Sequence, residues 1–485
     1  MSGVEKSRLY RITHPRSLAF WGASNNALSM GSVQLASVLA LGYEGAIYPI
    51  HPKEAEVMGF KAYKSLADVP GPVDLAVVVL PTKLVPEILE QCGKAGVHHL
   101  IIVSAGFGEI DEDGKRMQQQ LIDTANRYGI TILGPNCIGV VNTYQKLNTT
   151  FYPYVAKPGF IGMASQSGSF VTQMSWYLDD FDLGFSQAFS VGNEAVVDIT
   201  DCLEYLGDSP ETKVIALYIE AIRRGREFFK VAKEVSKKKP IVAYFVGGSS
   251  AGKKAAQSHT GALAGSDAVY DAMFRQCGVI RAQSIEELFD FCIVLGTQPL
   301  PRGNRVAVLT HSGGPGVSAA DAAERSGLRL AEFGPETVAK MREVVPHTAS
   351  VTNPVDLTFS RNLNEYLQTL PAAIMPDEGV DSLFVYLIVA QHMLEQLLKD
   401  ATKDQERAEA LARGFLVGQA EALAALPGKY GKPVVAGSFL PRSESLIQEL
   451  QKRGCAVVPS PERAMSALAA LTRYARMREA LLAST

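Results

Sequence analysis

Short runs of β-branched and other apolar residues recur along the whole chain, each closed by a turn of small residues and followed by a longer amphipathic stretch. Leu18–Trp21, Gly45–Ile50, Leu75–Leu80, His99–Val103 and Thr131–Leu133 are the first five runs. Val33–Leu41, Val85–Ala95 and Gly114–Tyr128 are the clearest helical stretches between them. A run that is apolar on both faces suits a strand covered by helices on both sides, so these runs predict buried parallel strands. Strand–helix alternation with right-handed crossovers then gives an α/β fold built on a doubly wound sheet.

The pattern predicts two more units. After the irregular stretch Gln145–Pro158, strands are expected at Phe160–Ala164, Phe185–Val191, Val214–Ile219 and Pro240–Phe245, with a helix at Phe228–Lys238. Gly296–Asn304 contains two prolines and reads as a linker. Beyond it, strands at Val306–Thr310, Ser382–Ile388, Pro433–Gly437 and Ala456–Val458, a long helix at Ala408–Leu426 and a closing helix Pro461–Leu482 make a third unit. The expected domains are 1–145, 146–298 and 303–485, with no sequence repeat among them. The 485 residues agree with three domains of about 150 residues each.

Charge and cysteine usage exclude several function classes. The 47 basic and 50 acidic residues leave a net charge of −3, which gives no support to a nucleic-acid or membrane-surface role. The six cysteines (Cys92, Cys137, Cys202, Cys277, Cys292 and Cys455) are scattered, with no CxxC pair. That excludes a disulfide framework and a structural zinc site, fits a reducing compartment, and predicts no metal ligands. The N-terminal stretch MSGVEKSRLYRITHPR has no apolar signal region, and no run approaches the ~18 residues of a membrane span. A cytoplasmic location is expected.

In open α/β sheets, ligands bind at the carboxyl ends of strands, where glycine-containing turns bring backbone N–H groups to an anion at a helix start. Gly22-Ala23-Ser24 is the first such turn, but Asn25-Asn26 stand where a dinucleotide fingerprint wants glycine. Strand two ends in His51-Pro52-Lys53 rather than the acid that holds a ribose. Lys53 reads equally as a contact to a phosphorylated nucleotide or as a surface lysine. Gly247–Lys254 satisfies GxxxxGK but lacks the following Ser/Thr, so a Walker A site is rejected. Two turns are stronger. Ser165-Gln166-Ser167-Gly168-Ser169 precedes the helical stretch Phe170–Leu178, and Ser312-Gly313-Gly314-Pro315-Gly316 precedes Val317–Ser326. Each is an anion cup, and their presence in different domains points to a ligand shared between them.

Of the eight histidines, His259 stands apart. It lies among small residues, Gln257-Ser258-His259-Thr260-Gly261, with room for a substrate at the ring. A neutral imidazole is a competent nucleophile toward phosphorus when an acceptor holds its other nitrogen. Glu220, ending the strand Leu217–Glu220, is positioned to be that acceptor; a rim or capping carboxylate is the plainer alternative.

Ten short motifs occur in a specific order. They are Gly22-Ala-Ser24, Ile50-His-Pro-Lys53, Ser104-Ala-Gly-Phe107, Gly134-Pro-Asn-Cys-Ile-Gly139, Ser165-Gln-Ser-Gly168, Ser190-Val-Gly-Asn193, Tyr218-Ile-Glu220, Ser258-His-Thr-Gly261, Gly313-Gly-Pro-Gly316 and Asn353-Pro-Val-Asp356. With them the chain resembles the nucleoside-diphosphate-forming acyl-CoA synthetases, relatives of succinyl-CoA synthetase, and most closely the alpha-subunit type of ADP-forming acetyl-CoA synthetase. The resemblance covers nearly the whole chain. It implies an N-terminal Rossmann-like CoA-binding domain followed by two flavodoxin-like ligase domains. It also implies the chemistry: phosphate attacks an acyl-CoA, a histidine takes the phosphoryl group from the acyl phosphate, and ADP receives it on an ATP-grasp domain. By motif, His259 is the phosphorylated residue and Glu220 holds its ring. Ser165, Gln166, Ser167 and Gly168 line one phosphate cup, and Ser312, Gly313, Gly314 and Gly316 the other. Gly22, Ala23, Ser24, Lys53, Ser104, Gly106, Asn136 and Cys137 fall at the CoA site. His51, Leu80-Pro81-Thr82 and His311-Ser312 depart from the family pattern. No ATP-grasp segment is found, so nucleotide and Mg²⁺ are expected on a separate beta subunit, in an α₂β₂-type assembly. The rival readings are a non-catalytic CoA-binding regulator, a nicotinamide-dependent oxidoreductase and a self-sufficient ligase.

Overall fold

A computed structural model of the chain describes residues 3–152, 157–249, 266–358 and 362–483. The chain divides into two compact units, one of Met1–Asp179 with Leu183–Gln283 and the other of Asp180–Asp182 with Ser284–Thr485.

The first unit carries two large sheets. In one, Ala46–Ile50, Ser17–Trp21, Leu75–Val78, His99–Ile102 and Thr131–Leu133 lie side by side, all parallel. Every residue of Ser17–Trp21 and Leu75–Val78 is buried, which explains why these runs show no polar alternation. The covering helices have conventional signals. Ser29 caps Met30–Ala40, Asp111 caps Glu112–Tyr128, and Gly129 ends the latter in left-handed backbone at φ +66°. Counted along the chain, the five strands stand in the order 2-1-3-4-5. The order reverses between the first and third strands, and a crevice opens there at their carboxyl ends.

The second sheet runs Val279–Ala282, Ile241–Phe245, Val214–Ile219, Ile161–Ser165, Phe185–Ser190, Val140–Asn142, Leu147–Asn148. Its first five strands are parallel and again ordered 2-1-3-4-5, whereas the last two are antiparallel. The sheet therefore takes Val140–Asn142 from before the domain boundary expected at 145/146. That strand has three residues, too few for a period to show in sequence. The helix Ile199–Asp208, the helix Asp267–Cys277 and the strand Val279–Ala282 were likewise not predicted.

In the second unit, Arg329–Leu330, Arg305–Thr310, Ser382–Tyr386, Val434–Gly437 and Ala456–Val458 form a parallel sheet, and the short Val355–Asp356 also pairs with Arg305–Thr310. The five strands repeat the 2-1-3-4-5 order. The predicted long helix extends over Gln405–Tyr430 and the closing helix over Pro461–Ala483. Helix Ile285–Thr297, not predicted from the sequence though it falls within the expected second domain, packs on Pro461–Ala483. Asp290 there is 1% exposed and meets Arg463 at two points, Nε to Oδ2 at 2.5 Å and Nη2 to Oδ1 at 2.8 Å. By its contacts, the chain from Ser284 onward groups with the second unit. Gly296–Asn304 is not a free linker, since the Gln298 side chain accepts from the Val434 N–H (3.0 Å) and donates to the Gly454 carbonyl (3.3 Å).

Candidate active site

The crevice of the first sheet begins at Gly22. Its φ is +99°, and a Cβ there would lie 2.0 Å from the Val79 carbonyl oxygen, so only glycine fits between the first and third strands. Ala23 is buried and can offer a ligand only its backbone. Ser24 is held by Ser32, whose hydroxyl accepts from the Ser24 N–H (3.0 Å) and donates to the Ser24 carbonyl (2.7 Å). Asn25 closes the turn onto the neighbouring loop, donating through its N–H and Nδ2 to Glu54 Oε2 (3.1 and 2.6 Å). The exposed Lys53 sits beside that contact. The fold thus brings Lys53 near the turn Gly22-Ala23-Ser24, from which it is distant in sequence.

A second group of predicted CoA residues meets at the ends of the third, fourth and fifth strands. Ser104 donates to the Leu80 carbonyl (2.5 Å), and its own carbonyl accepts from the Asn136 N–H (2.9 Å). Glu109, which the motifs did not single out, takes the N–H groups of Gly106 and Phe107 on its carboxylate and also the Nδ2 of Asn193 (2.5 Å). Asn136, in left-handed backbone, donates to Asn193 Oδ1 at 3.2 Å. Gly192 passes so close that a Cβ would fall 2.2 Å from the Pro135 carbonyl oxygen. The expected CoA end of the first sheet is therefore hydrogen-bonded to the turn Gly192–Glu194 of the second.

Cys137 does not present its thiol to this face. It is 3% exposed, its Sγ points at the Ile102 carbonyl, and burial pushes the thiol up to about 12. All six cysteines are buried. Burial likewise raises Cys92, Cys277 and Cys455 to about 12, and shifts Cys202 and Cys292 upward. The native protein should therefore resist a thiol-specific reagent at pH 8 and expose six reactive thiols once denatured; fast native labelling would contradict the packing.

The crevice of the second sheet opens between Ser165 and Glu220. The Ser165 hydroxyl accepts from the Ser167 N–H (3.1 Å) and donates to the Ser167 carbonyl (2.6 Å), setting the turn from which helix Gly168–Asp179 starts. Gln166 bridges to the facing strand. Its Oε1 accepts from the N–H groups of Glu220 (2.6 Å) and Ala221 (3.0 Å), and its Nε2 donates to the Ala221 carbonyl (2.7 Å). Gln166, Asn193, Glu194, Glu220 and Arg223 line one small cleft. Glu194, a buried carboxyl raised by burial to about 7 against the pull of Arg223, was missed in sequence because one acid after a turn carries no period. A raised carboxyl binds its proton longer in the folded state. Its contribution is therefore most favourable below the usual carboxylate range and declines by about 3 kcal/mol as pH rises to 7. Ser258, His259, Thr260 and Gly261 lie outside the described residues, as does much of the Gly247–Lys254 stretch.

The second unit carries the same device. The Thr310 hydroxyl accepts from the Ser312 N–H (3.1 Å) and donates to the Ser312 carbonyl (2.7 Å), and helix Gly313–Arg325 starts immediately after. Gly313 and Gly314 are exposed and Gly316 is buried against Thr310. The correspondence is Ser165-Gln-Ser-Gly168 with Thr310-His-Ser-Gly313, a four-residue likeness. Among the described residues no group of three or more His, Cys, Asp or Glu is arranged to hold a metal, and no helix is long and apolar enough to cross a membrane.

Three family models match the chain: a CoA binding domain over residues 16–143, a succinyl-CoA ligase-like flavodoxin domain over 158–295 and a ligase-CoA domain over 306–436. The chain is 41% identical over 466 residues to the alpha subunit of acetate–CoA ligase [ADP-forming] II of Pyrococcus furiosus, covering 96% of this chain and 97% of that one. This chain belongs to the ADP-forming acyl-CoA synthetase family. The alpha subunit of acetate–CoA ligase [ADP-forming] I of the same organism is 40% identical, over 97% and 98% of the two chains. A solved structure of dinucleotide forming acetyl-coenzyme A synthetase 1 from Ca. Korarchaeum cryptofilum, in complex with phosphate and ADP, matches with a TM-score of 0.87 at 33% identity and 98% coverage of both chains. The expected order, a CoA-binding domain followed by two further α/β domains, is thus the order of this ADP-forming acyl-CoA synthetase chain.

Proposed function

We propose that this chain is the alpha subunit of an ADP-forming acyl-CoA synthetase, an acid–thiol ligase that acts reversibly on a small carboxylic acid and works with an ATP-grasp beta subunit. One observation carries the reading. The second crevice sets a hydroxyl-clasped helix start, Ser165–Gly168, opposite the carboxyl-bearing strand end at Glu220, tied across by Gln166.

In the reaction so proposed, an oxygen of inorganic phosphate attacks the thioester carbon, the C–S bond breaks, and CoA leaves as the thiolate. A nitrogen of His259 then attacks the phosphorus of the acyl phosphate, and the carboxylate leaves with the bridging oxygen. The phosphohistidine finally gives its phosphoryl group to ADP. Little of this is bond-making by the protein beyond His259, so the work is positioning and stabilising negative charge. Ser165, Gln166, Ser167 and Gly168 would supply oriented N–H and O–H groups at a helix start, and Ser312, Gly313, Gly314 and Gly316 the equivalent group in the second unit. Glu220 would hold the His259 ring and stabilise its positive charge. Gly22, Ala23, Ser24, Lys53, Ser104, Gly106 and Asn136 would bind CoA, with Ala23 acting through backbone and Cys137 supporting from the core. ADP and Mg²⁺ are assigned to the beta subunit, in an α₂β₂-type assembly in the cytoplasm.

The test is to incubate the purified chain with radiolabelled phosphate and a panel of acyl-CoAs, without nucleotide. The expected result is label on the protein that is stable to alkali and labile to acid, appearing with one class of acyl-CoA and so naming the acid. CoA binding without label from any of them, with or without a beta subunit, would favour a non-catalytic CoA-binding regulator.

A further inference from the structure

Two charged side chains of the second crevice have no part in the reaction just described. Glu194 takes left-handed backbone, φ +54°, a conformation that a residue other than glycine keeps only where its surroundings impose it. Its side chain is 3% exposed. Oε1 accepts from the Ile199 N–H at 2.9 Å, and the nearby Gln166 amide favours the ionised carboxylate. Oε2 lies 3.6 Å from Arg223 Nε, near enough for attraction but beyond hydrogen-bonding distance. Arg223 is fixed instead through its Nη1, which donates to the Glu194 carbonyl at 3.2 Å. The guanidinium is thus anchored by backbone, 48% exposed, with its Nε side turned to a carboxyl group in the same cleft as Gln166 and Glu220.

We propose that Arg223 is the cation that receives a tetrahedral oxyanion in this cleft, and that Glu194 competes with the anion for it. The proposal rests on the reading that the cleft handles a phosphoryl group. A neutral Glu194 leaves the guanidinium free to bind the anion. An ionised Glu194 draws the guanidinium to itself and adds a negative charge beside the anion. The Glu194 carboxyl, raised to about 7, makes the exchange in the neutral range. The other groups facing Glu194 do not replace it. Asp198 is paired with Arg224, Tyr270 is raised by burial, Cys202 is raised well above its usual range, and Glu220 lies across the cleft.

Sulfate is the probe, because it keeps its double charge between pH 6 and 8 whereas phosphate titrates there. Its binding to the full chain is measured by calorimetry at both pH values. In the unmodified protein, affinity should fall about tenfold from pH 6 to pH 8, the change for one competing group crossing its titration range. Glu194→Gln should bind at both pH values as tightly as the unmodified protein does at pH 6. Arg223→Gln should bind weakly at both. A pH-independent affinity in the unmodified protein, a retained slope in Glu194→Gln, or unaltered binding in Arg223→Gln would overturn the proposal, as would the absence of any sulfate binding. The two sources of the anion are separated by repeating the series with sulfate as competitor of labelling from inorganic phosphate plus acetyl-CoA, and of labelling from acetyl phosphate. If labelling fails while the sulfate pattern appears, the synthetase reading falls and the anion site stands.

Discussion

Replacing His259 with alanine should remove every trace of alkali-stable phosphate from the chain and lower turnover by at least about three orders of magnitude, with the thermal midpoint unchanged. The size follows from the role. A nucleophile that forms a covalent intermediate cannot be replaced by neighbours that only orient substrate, and such groups fail as a unit when one is removed. What survives is the binding contribution of the helix starts and of the CoA site, so CoA affinity should stay within about twofold. Measured together, labelling, turnover and CoA binding separate this outcome from its rivals. Turnover near the original level with His259 absent would end the phosphohistidine assignment, whereas lost CoA binding would mean that the substitution had damaged the first unit.

Arg463→Ala should destabilise the second unit by about 3–5 kcal/mol. Asp290 is buried, and Arg463 holds it at two points. Even so, its carboxyl is raised above the usual range, because the burial penalty exceeds what the guanidinium returns. Without the guanidinium the buried charge loses its hydrogen-bonded partner and keeps only the weaker attraction of Arg442, and the cost falls on helix packing between Ile285–Thr297 and Pro461–Ala483. For a unit of this size the unfolding midpoint should drop by roughly 10 °C. The double replacement Asp290→Asn with Arg463→Met should recover most of the loss, since removing both charges leaves no stranded ion. A loss for Arg463→Ala under about 1 kcal/mol would show that Asp290 simply protonates and packs.

Most strands were legible because burial on both faces writes an unbroken apolar run, as at Leu75–Val78 and Val214–Ile219. Elements below that length were not. Val140–Asn142 is defined by its partner across the sheet, and nothing local distinguishes it. Helix Ile285–Thr297 is apolar nearly all round, so its pattern announces burial without saying in which unit. The repeated 2-1-3-4-5 order was also invisible, because winding depends on where strands lie and not on which residues compose them. In the candidate site, the glycines and the Ser165–Gly168 turn were legible through the conformations they require. Cys137 was read as a ligand contact although its thiol is in the core, Glu109 was passed over because its partner is remote in sequence, and Glu194 because one acid after a turn carries no period. Asn193, the residue both neighbour, lies 84 positions from Glu109.

The antiparallel pair Val140–Asn142 and Leu147–Asn148 has a consequence for how the protein can be divided. A cut at residue 145 would sever the hairpin and leave Phe185–Ser190 with one side unpaired, offering a sticky border to any other chain. The CoA-binding portion is thus not an exchangeable cassette at that point. A rearrangement that transplants it, in the laboratory or by gene fusion, keeps these borders covered only if Val140–Asn148 travels together with Phe185–Ser190.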